Sequence, residues 1–89
     1  MRTIWKYVLN LGATDLSLPK GAKILTADVQ YDAIALWAIV DLEAEREPRR
    51  FVIFGTGHPV TVLDERLIYV NTIQLQGGQF IGHIFEVIS

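Results

Sequence analysis

Apolar and polar residues alternate with a period of two along much of this chain, the spacing that gives an extended strand one dry and one wet face. In residues 3–11, Trp5, Tyr7, Leu9 and Leu11 fall on one side and Lys6 and Asn10 on the other, which predicts a half-buried strand. Thr14 to Gly21 reads as a connector, because Pro19-Lys20-Gly21 joins a proline-set φ to a following glycine. A second strand is predicted over Lys23 to Tyr31, with Leu25, Ala27, Val29 and Tyr31 turned inward against Lys23, Asp28 and Gln30. Asp32 and Ala33 then turn the chain.

Residues 34–40 are apolar at every position. That suits a strand covered on both faces, or one whose second face meets a partner chain, with a short helix as the competing reading. Seven of the eighteen charged residues lie between Asp41 and Arg50. With Pro48 they predict a solvated loop or helical turn, closing a long hairpin into Phe51-Val52-Ile53-Phe54. Asp64 to Arg66 is a second polar break, after which Leu67, Tyr69, Asn71, Ile73 and Leu75 share a face. Gln76-Gly77-Gly78 reads as a tight turn, and a last strand sets Phe80, Ile84 and Ile88 against Ile81, His83, Phe85 and Val87. The expected fold is all-β: a small antiparallel barrel or sandwich of about six or seven strands, with at most one short helical turn.

Composition narrows the picture. A chain of 89 residues holds a single domain, spanning 1–89, since a second would lack the length to bury its own core. With 51% of residues apolar and 20% charged, it carries more greasy surface than so small a domain can hide, which points to a homo-oligomer. The longest apolar run is too short for a membrane-spanning helix, the N-terminus lacks a signal-peptide core, and there is no cysteine. A cytoplasmic protein without membrane contact is expected. A net charge of −2 and the lack of a basic stripe argue against long nucleic acids. One small phosphate-bearing ligand remains compatible, because a few backbone amides and an arginine can hold it.

Two glycine patches carry the candidate chemistry. Gly55-Thr56-Gly57-His58 follows the apolar run at Phe51, and Gly77-Gly78 lies five residues before His83. Missing side chains leave backbone N–H groups bare beside an imidazole, a way to grip a small polar or anionic ligand. Neither patch is a dinucleotide fingerprint or a phosphate-binding loop, and a plain hairpin turn ended by Pro59 is the alternative. The candidate ligand residues are Gly55, Thr56, Gly57, His58, Gly77, Gly78 and His83, with Arg50 as an anion clamp in preference to Arg49. Glu86 falls on the opposite strand face from His83, so no metal site and no cofactor are expected. The hydroxyls of Thr56, Ser17 and Ser89 sit in no nucleophile elbow, and Asp41, Glu43, Glu45 and Glu47 lie in the solvated run; catalysis is not expected. Trp5, Tyr7, Trp37 and Tyr69 are assigned to the core or a subunit interface in preference to stacking on a ligand.

Ile4-Trp5-Lys6-Tyr7, Pro19-Lys20-Gly21-Ala22-Lys23-Ile24-Leu25, Leu36-Trp37-Ala38, Phe54-Gly55-Thr56-Gly57-His58-Pro59 and His83-Ile84-Phe85-Glu86 together resemble a family of short phage and prophage proteins of uncharacterised function. The similarity covers nearly the whole chain, and Gly55-Thr56-Gly57-His58 is its most specific element. It implies a viral setting, and small phage proteins of this size often counter host defence, some as oligomers that sequester nucleotide-derived immune signals. The expectation is a non-enzymatic homo-oligomer that binds a small, nucleotide-like ligand in pockets between subunits, in the host cytoplasm if phage-encoded. The alternatives are a protein-interaction module that inhibits a host protein or forms a minor part of the phage particle, and a small hydrolase with His58 as base.

Overall fold

Inward-facing aliphatic residues at every second position draw the chain into seven strands. In the computed structural model, which describes residues 1–89, these are β1 (Arg2–Leu9), β2 (Gly12–Pro19), β3 (Lys23–Gln30), β4 (Ala33–Asp41), β5 (Arg46–Gly55), β6 (Leu67–Leu75) and β7 (Phe80–Val87). A three-stranded sheet, ordered β1-β4-β3, and a four-stranded sheet, ordered β2-β5-β7-β6, are antiparallel throughout. The only helical pieces are single 3-10 turns at Asp64–Arg66 and Gln76–Gly78. The fold is all-β, a two-layer sandwich with Cα extents of 40 × 31 × 15 Å.

The core lies between the layers. Leu36, Ala38 and Val40 of β4 meet Phe51 and Ile53 of β5, Ile73 of β6 and Ile84 of β7, with Leu9, Leu18 and Ala27 closing the sides. Burying each of the larger side chains contributes about 1.5–3 kcal/mol, which fixes the register of strands that have one dry face. Asn71 ties the layers by a hydrogen bond, its Nδ2 donating to the Ala27 carbonyl of β3 at 2.8 Å.

Four sequence expectations are corrected. Residues 14–19 are not a connector but most of β2: Thr14 and Leu18 are buried while Asp15 and Ser17 are exposed, so the period-two signal was present. Pro19 closes an edge strand, where its missing N–H removes no ladder bond. The first strand stops at Leu9, and Asn10-Leu11 carries the chain to the other sheet, the Asn10 N–H donating to Thr14 Oγ1 at 2.8 Å. No hairpin joins β4 to β5. They belong to different sheets, and β5 starts at Arg46 inside the charged run because Glu47 and Arg49 turn inward and find partners there. Finally, bulges interrupt two expected faces. A register shift between Tyr69 and Asn71 turns Leu67 and Tyr69 outward while Asn71 and Ile73 stay inward. Another between Ile24 and Thr26 leaves Leu25 exposed, and Tyr31 lies beyond β3 in the turn.

Register gathers the loops at one end. Leu9 pairs with Ile34, Gly12 with Ile53, Gly55 with Gly82 and Leu75 with Phe80, and the two-residue step from β1 to β2 holds the matching ends of both sheets together. Residues 10–11, 31–32, 76–79 and the start of the long segment after Gly55 all emerge there.

Candidate functional site

β5 ends in a glycine for a steric reason. The chain reverses through Thr56 and Gly57, the latter at φ 84°, and the His58 N–H donates to the Gly55 carbonyl at 3.0 Å. This lays the imidazole over Gly55, with Nδ1 2.8 Å from where a Cβ would stand, and against the Phe80 ring at a centroid distance of 6.4 Å. Any side chain at position 55 would displace His58 or Phe80.

Beside this turn is a cleft of about 370 Å3, bounded by the start of β2, the outer half of β5 and the segment that follows it. Gly12, Val52 and Gly55 line it with His58 and Val62, and Arg50 stands at the far end, five strand residues or about 16 Å from Gly55. The Arg50 guanidinium is half-exposed and reaches both carboxylate oxygens of Asp15 at 3.1 Å. Leu11, Val60 and Leu63, next to lining residues in sequence, are exposed apolar side chains.

Thr56 and His83 form a second group. His83 alternates with buried Gly82 and Ile84 and therefore points away from the core, opposite to Glu86. Its Nε2 is 2.7 Å from Thr56 Oγ1 and its Nδ1 3.0 Å from Thr72 Oγ1, which lies 2.7 Å from the Tyr69 hydroxyl. The result is a four-member polar chain on the outer face, beside the aromatic trio Phe54, Phe85 and Tyr69. The imidazole is oriented by hydroxyls on both sides, and no carboxylate completes a proton-relay triad.

Gly77 and Gly78 form a third group. At φ 65° and 89° they are the central residues of a turn closed by the Gln79 N–H on the Gln76 carbonyl at 3.2 Å. Gly77 lines a separate concavity with Tyr31 and Asp32. Thus Gly55, His58 and Arg50 share one cleft, Thr56 and His83 share a hydrogen bond, and the second glycine patch stands apart from both. Of the aromatic candidates, Tyr7 and Trp37 are half-buried, whereas Trp5 and Tyr69 are more than half exposed. No three His, Asp or Glu side chains converge as metal ligands.

Two arginines acquire roles the sequence reading did not give them. Arg49 binds Glu86 through Nε and Nη2, and its Nη1 donates to the Ala22 carbonyl at 2.9 Å. The pair is largely buried, and Glu86 hydrogen bonding raises the Arg49 pKa above the ordinary arginine value against the opposing effect of burial. Arg66 joins Arg50 along a further cleft of about 270 Å3, while its Nε donates to the Ile88 carbonyl. Adjacent residues of a strand face opposite ways, so a strand drawn back to Arg46 would have separated Arg49 from Arg50.

The family model for a domain of unknown function, DUF7352, matches residues 1–89. The chain belongs to the DUF7352 family. No curated protein and no solved structure matches it. No helix of this DUF7352 domain is long and apolar enough to cross a membrane.

Proposed function

We propose that the chain is a non-catalytic binding protein for a small anionic, nucleotide-derived ligand, acting as a phage-type sequestering protein in the host cytoplasm. One observation carries the reading: Arg50, Gly55 and His58, three residues chosen on chemical grounds, line one cleft of a size that suits a small molecule. Arg50, with Arg66 nearby, would take a phosphate; His58 and the bare Gly55 backbone would take the polar edge of a ring lying against Val52. The exposed Leu11, Val60 and Leu63, each adjacent in sequence to a lining residue, favour closure by a second copy of the chain. Thr56 and His83 brace the turn through their hydrogen bond, and Gly77 and Gly78 belong to this ligand only if that second copy brings them in.

Thermal shift with cyclic dinucleotides and ADP-ribose derivatives tests the reading. A ligand present at a hundred times its Kd adds about 2.7 kcal/mol, or roughly 10–20 °C in a domain this small. Arg50→Ala and His58→Ala should each cut that gain, and the ligand should be recovered chemically unchanged. No shift with any of these compounds removes the proposal; a hydrolysed ligand moves it to a hydrolase.

A second reading, docking onto another protein, draws on the outer face of the four-stranded sheet. Phe54, Phe85 and Tyr69 form an aromatic group there, and Tyr69 is more than half exposed. Loss of partner binding in Tyr69→Ala with ligand shifts intact would favour it.

A further inference from the structure

The β3–β4 and β6–β7 turns lie side by side, because Asn71 of β6 is hydrogen-bonded to Ala27 of β3 and both strands run to the same end. Between them is a concavity of about 500 Å3 with Val29 and Leu75 as its apolar floor. Tyr31, Asp32, Gln74 and Gln76 surround that floor with polar groups, and Gly77 leaves backbone bare. It shares no lining residue with the Arg50–His58 cleft.

Tyr31 and Gln76, at φ 55° and 53°, are the two non-glycine residues of the chain in the left-handed region, and both line this one concavity. A left-handed backbone presses Cβ against the next carbonyl, so hairpin turns ordinarily place Gly, Asn or Asp there. Tyrosine gains nothing for the fold in return, since Tyr31 is 93% exposed. Strain that packing does not require points to a role in binding.

The lining selects the chemistry. No lysine, arginine or histidine contributes to it, and Asp32 enters none of the ion pairs, so an anionic ligand would meet an uncompensated negative charge. An exposed phenol ring offers a flat face to C–H groups, and a carboxylate with two amides offers acceptors and donors to hydroxyls. We infer that this concavity binds a neutral polyhydroxylated ring, a saccharide unit, with Tyr31 as stacking platform and Asp32, Gln74 and Gln76 as hydroxyl partners.

Amide NMR titration of the whole chain with glucose, galactose and N-acetylglucosamine tests this, together with Tyr31→Asn, a residue that tolerates left-handed backbone. At least one sugar should shift the Tyr31, Asp32, Gln76 and Gly77 amides and leave Gly55 and His58 unmoved. Tyr31→Asn should weaken that response about tenfold or more while its Tm equals or exceeds that of the parent. Silence at these amides at millimolar sugar overturns the inference, as does a response to choline without one to sugar. A lowered Tm in Tyr31→Asn overturns its premise, because the ring would then serve the fold.

Discussion

Gly55 and Gly82 stand opposite each other in the β5–β7 ladder, and the edge of the Phe80 ring lies 3.0 and 3.1 Å from where their two Cβ atoms would be. One aromatic side chain thus covers a hole left by two glycines, and the local structure depends on both staying small. The neighbours differ, however. Gly82 also faces Ile53 at 2.9 Å and Ile73 at 3.5 Å, both in the core, whereas Gly55 faces the exposed His58.

Gly82→Ala should therefore destabilise by about 1–3 kcal/mol, since the buried Ile53, 2.9 Å away, has nowhere to retreat. Gly55→Ala should cost less, because His58 can swing toward solvent, yet the swing empties one wall of the cleft. Urea denaturation of the two variants beside ligand thermal shift checks the contrast: stability falls mainly in Gly82→Ala and ligand response mainly in Gly55→Ala. Equal losses of stability would show that His58 is as rigidly held as the core.

Arg49 and Glu86 invite the opposite experiment. Glu86→Gln removes the hydrogen-bonded charge partner of a largely buried guanidinium and should lower stability by about 3 kcal/mol, the low end for breaking a buried pair because Arg49 keeps the Ala22 carbonyl and the Glu47 carboxylate 3.8 Å away. Replacing both members with apolar residues, as in Arg49→Met with Glu86→Leu, should recover most of that loss. A double-mutant cycle in urea reads the difference, and a pair of additive single losses would contradict the ion-pair account.

How far the fold could be read follows from these same residues. Alternation located β3, β6 and β7 because each has aliphatic residues on a face that packing then buries. The two failures, β2 and the first half of β5, are strands whose inward positions include polar groups: Thr14, held by the Asn10 backbone four residues away, and Glu47 and Arg49, whose partners Gly21 and Glu86 lie far along the chain. Local composition cannot reveal an interior glutamate whose arginine lies 37 residues away. Bulges at Leu25 and Val70 have no sequence mark either, and each reverses which residues share a face. For the candidate site, Gly55 with His58 was legible because a glycine needed for close approach and the group approaching it are three residues apart. Whether Gly77 and Gly78 neighboured them depended on β6–β7 pairing and on where the β3–β4 turn fell, which spacing does not encode.

The outer-face polar chain gives a third test. Thr72 Oγ1 lies within hydrogen-bond distance of both His83 Nδ1 and the Tyr69 hydroxyl. Thr72→Val keeps strand propensity and shape while removing both partners, so it should cost only about 0.5–1 kcal/mol, as water replaces the lost contacts at this exposed position. Its clearer signature is spectroscopic: the His83 ring-nitrogen resonances should move, since Nδ1 loses the hydroxyl that orients it. Unchanged imidazole signals would mean that Thr56 alone sets the ring.

Asp41 supplies the pH dependence. The Glu43 backbone N–H at 3.1 Å and the N-terminal ammonium at 3.3 Å both hydrogen-bond its Oδ1, in that order of effect, and hold its pKa below the ordinary aspartate value. A carboxyl depressed in the folded state binds its proton more readily when unfolded. Its stabilisation is accordingly complete above the unfolded value of about pH 4 and fades as pH falls through the lower folded value. Asp41→Asn should thus be slightly less stable than the parent at neutral pH, and the gap should close below about pH 4. Because the carboxylate is about half exposed, added salt should shrink the gap at neutral pH as well. Thermal unfolding of parent and variant across this range, at low and high salt, measures it; a difference that persisted unchanged into acid would assign the effect to the loop's hydrogen bonds instead of to its charge.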